Sequence, residues 1–252
     1  EKLKSHYMNR GYLEFAVEST QVSISPDKQD VYITINISEG ERYQVSSVKL
    51  AGDLILGEPE LRPLVSVRPG DVFSRERLND STKAVTDRLA KEGYAFANVN
   101  AAPEVDKEKH QVAFTIFVDP GKRVYVRRIN ITGNTRTRDE VIRREMRQME
   151  GGWYDSGKVA LSKQRVDKLG VFQEVAVETP PVPGTADQLD VNLNVTEKPN
   201  GTLMIGAGFS STEKIVLSGS ISQANIFGSG KNVSAQINTG KINRVIALSY
   251  TD

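Results

Sequence analysis

The sequence predicts an α+β fold, tandem small β-α-α-β-β domains followed by the first antiparallel strands of a transmembrane β-barrel. Three observations predict it. Landmarks repeat at a long interval: Gly40 and Gly121 stand 81 residues apart (121 − 40), as do Gly52 and Gly133 (133 − 52). Helices ending in Gly-aromatic recur at Gly11-Tyr12, Gly93-Tyr94 and Gly170–Phe172. A period near 80 is long for a solenoid repeat and fits domains that each own a core. Inside each repeat, strands with alternating apolar residues flank stretches with helical spacing. From Gly201 onward the charge thins out and short alternating strands rich in Gly and Ser take over.

Composition narrows the function classes. With 33 basic and 32 acidic residues among 252, the net charge is +1, which excludes a strong global pull towards nucleic acid. The absence of cysteine excludes disulfides, thiolate metal sites and cysteine nucleophiles. No run of about 18 apolar residues exists, so no helix is expected to span a membrane; barrel strands of roughly 9–11 residues give a weaker signal and stay open. No signal peptide is visible, and the opening EKLKSHYMNRGY reads as mid-helix. The chain is therefore expected to be an excised piece whose targeting sequence lies upstream.

Residues 1–40 read as the second half of a domain. Leu3, Tyr7 and Met8 line a helix face that ends at Gly11, and strands follow at 15–25 and 31–38 around the turn Pro26-Asp27-Lys28. Residues 41–120 read as a complete domain. Val45, Val48 and Leu50 mark its first strand, with the alternation broken at Ser46-Ser47. A short helix at 59–64 starts on Pro59, where a missing N–H costs little. Ser74 caps a long helix whose Leu78, Val85 and Leu89 face inward. Strands follow at 97–105 and 112–118; the continuous run VAFTIFV predicts a central strand covered on both faces.

Residues 121–198 read as the last domain before the barrel. Val124, Val126, Ile129 and Ile131 alternate, and Gly133-Asn134 ends the strand. Thr137 sits three residues before Glu140, a capping-box spacing. The predicted helix carries Ile142, Met146 and Met149 on one face and Arg143, Arg144 and Arg147 on the other, and stops at Gly151-Gly152. A second helix is expected at 155–169, with Val159, Val166 and Leu169 inward, then strands at 172–179 and 189–195 around a proline-stiffened loop.

Residues 199–252 read as an incomplete barrel. Leu203, Ile205, Ala207 and Phe209 alternate with small or polar residues, and the pattern continues through Leu217, Ile221, Val233, Ile237, Ile246 and Leu248. Apolar outside and small or polar inside is the signature of membrane barrel strands, and four such strands cannot close a barrel. Gly228-Ser229-Gly230 reads as a short periplasmic turn. The bland reading of the same pattern is a soluble β-meander.

Catalytic chemistry is not expected. His6 and His110 belong to no metal-spaced motif. FGSGKN (227–232) lacks the first glycine and the Ser/Thr after Lys231 that a phosphate loop needs. No nucleophile elbow and no carboxylate dyad is present. The sequence Asn130-Ile131-Thr132 falls within a predicted strand and is assigned no glycan. No cofactor or metal is expected.

The repeated strand-helix-helix-strand-strand unit, the runs RREMRQMEG (143–151) and GYAFANVNAAPEVD (93–106), and the switch to glycine-rich amphipathic strands resemble the POTRA domains and barrel start of the Omp85 superfamily, its bacterial β-barrel assembly factors above all. The resemblance covers essentially the whole chain. It implies a protein of the cell outer membrane with residues 1–198 in the periplasm, acting without covalent catalysis on unfolded outer-membrane proteins, in contact with outer-membrane lipid. It also implies that BamD-like and other Bam lipoproteins are partners, docking at Arg143, Arg144, Glu145 and Arg147. Client strands are expected to pair with the first barrel strand, Thr202, Leu203, Met204, Ile205, Gly206, Ala207, Gly208 and Phe209. A charge-rich helix face is more often merely solvated, but Arg127, Arg128, Arg136 and Arg138 cluster beside this one in sequence. The alternatives are a secretion transporter or TamA-like protein of the same superfamily, or a periplasmic scaffold without insertase activity.

Overall fold

The structure, a computed structural model, describes residues 1–212 and 214–251 and divides into two units, Glu1–Arg123 and Val124–Asp252.

In the first unit, a helix α1 (Lys2–Met8) precedes an antiparallel hairpin of β1 (Ala16–Ile24) and β2 (Val31–Ser38). A complete small domain follows: β3 (Gln44–Gly52), a short α2 (Glu58–Leu61) running into a 3-10 turn, α3 (Arg75–Lys91), β4 (Asn98–Asp106) and β5 (Gln111–Asp119). The sheet order is β3-β5-β4, with β3 parallel and β4 antiparallel to β5. The α3 helix forms where the sequence predicts it, because the Ser74 hydroxyl accepts the Arg77 N–H at its open end. A second cap comes from another element: Asn9 Oδ1 accepts the Glu76 N–H (2.9 Å) and Asn9 Nδ2 donates to the Glu76 carboxylate (3.0 Å). Tyr43 N–H donates to Gly11 O (2.8 Å), and Lys107 pairs with Glu14 at 2.6 Å. The hairpin segment and the complete domain are thus joined by several bonds.

Leu78, Val85 and Leu89 of α3 pack onto Val112, Phe114, Ile116 and Val118 of β5 in one core. The central place of β5 matches its apolar run, but only one face is covered, and Phe117 on the other is 50% exposed. The domain is a two-layer α/β pack; the core lies on one side, and among the described residues the row of β5 that holds Ala113, Thr115 and Phe117 meets no second layer.

The second unit opens with the same design: β6 (Tyr125–Thr132), α4 (Asp139–Arg143), α5 (Ser156–Lys168), β7 (Phe172–Glu178) and β8 (Gln188–Glu197), in sheet order β6-β8-β7. The repeat holds to the single residue. Register shifts fall at Val45/Ser47 in β3 and Val126/Arg128 in β6. Gly52 and Gly133 both take positive φ, 93° and 85°, and a Cβ on either would strike the carbonyl oxygen of Val118 or Val195. Buried Ser81 accepts the Ser66 N–H, and buried Ser162 accepts the Arg147 N–H.

That last bond corrects the predicted helix. α4 ends at Arg143 instead of running to Gly151, because the Arg147 amide is held by Ser162 Oγ at 2.8 Å and not by a helical carbonyl. Met146 is buried as expected, whereas Met149 lies off the helix and is 64% exposed. Buried Gln148 holds the loop, donating to Trp153 O (3.0 Å) and accepting the Asp155 N–H (2.9 Å). Nor does Thr137 cap α4: the cap position is Arg138, with no side-chain bond, and Thr137 is engaged elsewhere. Asp155 caps α5, accepting the Gly157 and Lys158 amides.

Four more strands complete the unit: β9 (Gly201–Ser210), β10 (Lys214–Gln223), β11 (Asn232–Thr239) and β12 (Arg244–Thr251), all antiparallel in the order β12-β11-β10-β9. The turn between β10 and β11 contains a 3-10 segment, Ile226–Gly228.

Candidate functional site

Two stretches carry the expected binding residues. The first is α4 and the loop after it. Asp139 and Glu140 in the first turn of α4 suit the positive end of its dipole. Arg143 turns back on its own domain: its Nε donates to Asp139 (2.8 Å), its Nη2 to Ile129 O (3.3 Å), and Glu150 lies 3.5 Å away. These carboxylates hold its guanidinium more firmly protonated than usual, hydrogen bonding to Asp139 being the main cause. The Arg147 guanidinium donates to the carbonyls of Arg144 and Met146 (both 3.2 Å).

Glu145 is only 16% exposed at its side chain and lies between two cations, Arg165 at 2.7 Å and Arg144 at 3.7 Å. Arg165 comes from α5, 20 residues further along the chain (165 − 145), so no local charge pattern points to it. Of the four residues expected to dock a partner, Arg144 is the one that combines an exposed guanidinium with only a long ion pair. The cluster thus presents cations to solvent while its acid is turned inward, a surface suited to carboxylates and backbone carbonyls of a partner. Arg127, by contrast, is spent on Asp190 of the neighbouring strand (2.9 Å), and that bond draws the Asp190 carboxyl below its ordinary pKa.

The second stretch is β9, which holds all of Thr202–Phe209 at the end of its sheet. It pairs with β10 from Gly201↔Gln223 to Ser210↔Lys214. Its other edge has no strand partner among the described residues. The register aligns Leu203, Ile221, Ala235 and Leu248 in one row, and Ile205, Gly219, Ile237 and Ile246 in the next. One face is therefore apolar and exposed, with Ile205 at 84%. The opposite face carries Thr202, Gly206, Ser218, Ser220, Gln236 and Asn238.

Among the described residues no cluster of His, Asp and Glu could hold a metal ion, and no helix is long and apolar enough to cross a membrane.

Comparison with known proteins agrees with this architecture. The family model "POTRA: Surface antigen variable number repeat" matches residues 1–40, 43–121 and 124–198. The outer membrane protein assembly factor BamA of Neisseria meningitidis serogroup B is 36% identical over 100% of this chain, which covers 32% of that protein. BamA of Buchnera aphidicola is 31% identical over 94% of the chain and 38% of its own length. The chain thus spans about a third of the curated relatives it matches. Among solved structures, Haemophilus influenzae BamA POTRA3-5 superposes with a TM-score of 0.73 at 36% identity, covering 77% of each chain. Haemophilus ducreyi BamA lacking POTRA domains 1-3 gives 0.72 at 31% identity, over 83% of this chain and 40% of that one. Sequence repeat, sheet order and these matches agree, and the chain belongs to the POTRA-domain family, within the BamA-type branch of the Omp85 superfamily.

Proposed function

We propose that this chain is the stretch of an outer-membrane β-barrel assembly factor in which the last periplasmic domains meet the barrel. Residues 1–40, 41–120 and 121–198 serve as periplasmic domains that receive unfolded outer-membrane proteins and accessory lipoproteins. Residues 199–252 form the first barrel strands, facing outer-membrane lipid. The observation that carries this reading is the register of the four-stranded sheet, which gathers most of its large aliphatic side chains on one exposed face, while the other holds most of its Ser and Asn, with Met204, Val216 and Val245 among them. Leu203 to Phe209 covers about 20 Å at ~3.4 Å per residue, close to the ~25 Å apolar band of an outer-membrane barrel.

The work is done by strand addition. β9 offers a row of unpaired N–H and C=O groups along Thr202–Phe209. At membrane depth each such group left unsatisfied costs several kcal/mol, so an incoming client strand is strongly favoured there. Gly206 and Gly208 weaken the strand's own packing, which eases exchange of its partner. No covalent bond is made or broken. A BamD-like lipoprotein docks on the cationic loop, with Arg144 as the direct contact and Arg143, Glu145 and Arg147 shaping the surface.

The test is to place the complete parent protein in liposomes with an unfolded barrel client. An assembly factor accelerates client folding over empty liposomes. A scaffold leaves the rate unchanged, and a secretion transporter or TamA-like protein leaves it unchanged while supporting its own substrate; either result overturns the proposal.

A further inference from the structure

Asn225 stands out in the β10–β11 turn. It is 4% exposed and takes a left-handed backbone, φ 52° and ψ 50°, a conformation that Asn tolerates better than other residues with a side chain. Both ends of its carboxamide are bonded. Oδ1 accepts the Gly230 N–H (2.7 Å), closing its own turn, and Nδ2 donates to Thr137 Oγ1 (2.7 Å), 88 residues away in the α+β domain. Thr137 is itself buried, and its N–H donates to Glu197 Oε1 (2.7 Å). Glu197 also accepts the Thr135 hydroxyl (3.0 Å) and the Arg136 N–H (3.1 Å).

The backbones meet at the same place. Arg138 N–H donates to Gly228 O (3.0 Å), and Gly228, at φ 72°, lies so close to Arg136 O that a Cβ would strike it. A Cβ on Gly230 would come within 3.1 Å of Arg144 and Val141. One polar chain, Asn225 to Thr137 to Glu197, therefore ties together three segments: the β10–β11 turn, the loop before α4, and the end of β8. Those segments bracket β9. Glu197 lies four residues before its first residue, and Gln223, the partner of Gly201, lies two before Asn225. Ala224 N–H donating to Asn200 O (2.7 Å) closes the base of the same hairpin.

We infer that Asn225, Thr137 and Glu197 are positioning residues, a joint that fixes the base of the β9–β10 hairpin on the α+β domain so that the exposed edge of β9 opens from its Phe209 end. This rests on the insertion reading above for its purpose, though not for its geometry. Polar networks withdrawn from water, when bonded throughout, rigidify a structure and specify one arrangement. The joint also touches the docking surface, through Gly230 against Arg144, so a partner seated there bears on the base of the strand that accepts clients.

The experiment uses the complete parent protein in lipid bilayers, with spin labels at Lys163→Cys and Arg244→Cys, both exposed, and any cysteines outside this stretch replaced. Native protein should give one narrow distance distribution by electron–electron resonance. Thr137→Val removes the hydroxyl at constant shape, and Asn225→Gly keeps the left-handed turn while deleting the carboxamide. Thr137→Val, which removes one hydrogen bond, should raise the population of a second distance about fivefold; Asn225→Gly, which removes two, should raise it at least as much. Both should slow client folding, and Thr137→Ser should keep the native distribution and rate. Distributions that stay native in Thr137→Val and Asn225→Gly overturn the joint. Native protein that keeps its narrow distribution but does not accelerate client folding overturns the insertion reading alone.

Discussion

The Glu145 carboxylate lies 2.7 Å from the Arg165 guanidinium, in a side chain mostly withdrawn from water. Reversing it to lysine therefore sets a third cation between Arg144 and Arg165. Glu145→Lys should weaken recovery of a BamD-like lipoprotein from detergent extracts and also cost about 1–3 kcal/mol of domain stability, more than an ordinary surface exchange. Arg144→Ala should weaken recovery with stability changed by about 0.5 kcal/mol or less. Pull-downs read beside urea melts decide this; undiminished recovery with both variants removes the loop from the docking surface.

Gly52→Ala and Gly133→Ala should be among the most damaging single-methyl changes in the chain. Each glycine has positive φ, and each added Cβ meets a backbone carbonyl that cannot swing aside. A cost of about 2 kcal/mol or more is expected from strain and displacement of the sheet. Equal denaturation midpoints for native and variant proteins would show that the sheet yields freely at these points.

Acid should loosen the last domain at Glu197. Burial pushes its carboxyl up, but hydrogen bonds from Thr137, Thr135 and the Arg136 amide outweigh this and hold it below the ordinary value of 4.5. A carboxylate depressed on folding contributes stability that is present above its unfolded pKa and lost as pH falls through its folded one. The melting temperature should hold near neutral pH and fall as pH drops below about 4.5. Glu197→Gln should be less stable at neutral pH and lose part of that slope; a slope unchanged in this variant would assign the acid sensitivity to other carboxylates, such as Asp190.

Single cysteines along 202–209 in the complete protein should trap a stalled client barrel in a pattern that shifts one residue for each residue moved on the client. That follows from in-register pairing along the free edge of β9. Crosslinks confined to 215–222 or 233–238 would place the client elsewhere.

Most of the fold could be read from the residues because its signals are local. The interval of 81 predicts two sheets of the same order, and even the break at Ser46-Ser47 becomes a bulge that recurs in β6. The errors all have distant causes. Spacing alone extends α4 to Met149, but Ser162 on another helix takes the Arg147 amide and ends it. The apolar run of β5 foretells a central strand but not how many layers cover it. Of the residues expected to dock a partner, the sequence offers three equivalent arginines and one acid; only packing separates Arg143, bound inward, from Arg144, left outward. The Asn225–Thr137 bond joins residues whose separation of 88 leaves no periodic trace.

The face built from Leu203, Ile205, Ile221, Ile237, Ile246 and Leu248 has a consequence for handling and for biogenesis. In water, an exposed aliphatic sheet whose outer strands, β9 and β12, have no further strand partner among the described residues is an adhesive. A recombinant version carrying residues 1–251 should need detergent to stay dispersed, while one stopping at Glu197 should not. On the insertion reading proposed above, the same six residues have to be shielded from synthesis until they reach lipid, and the segment would itself need, while new, the help it later gives.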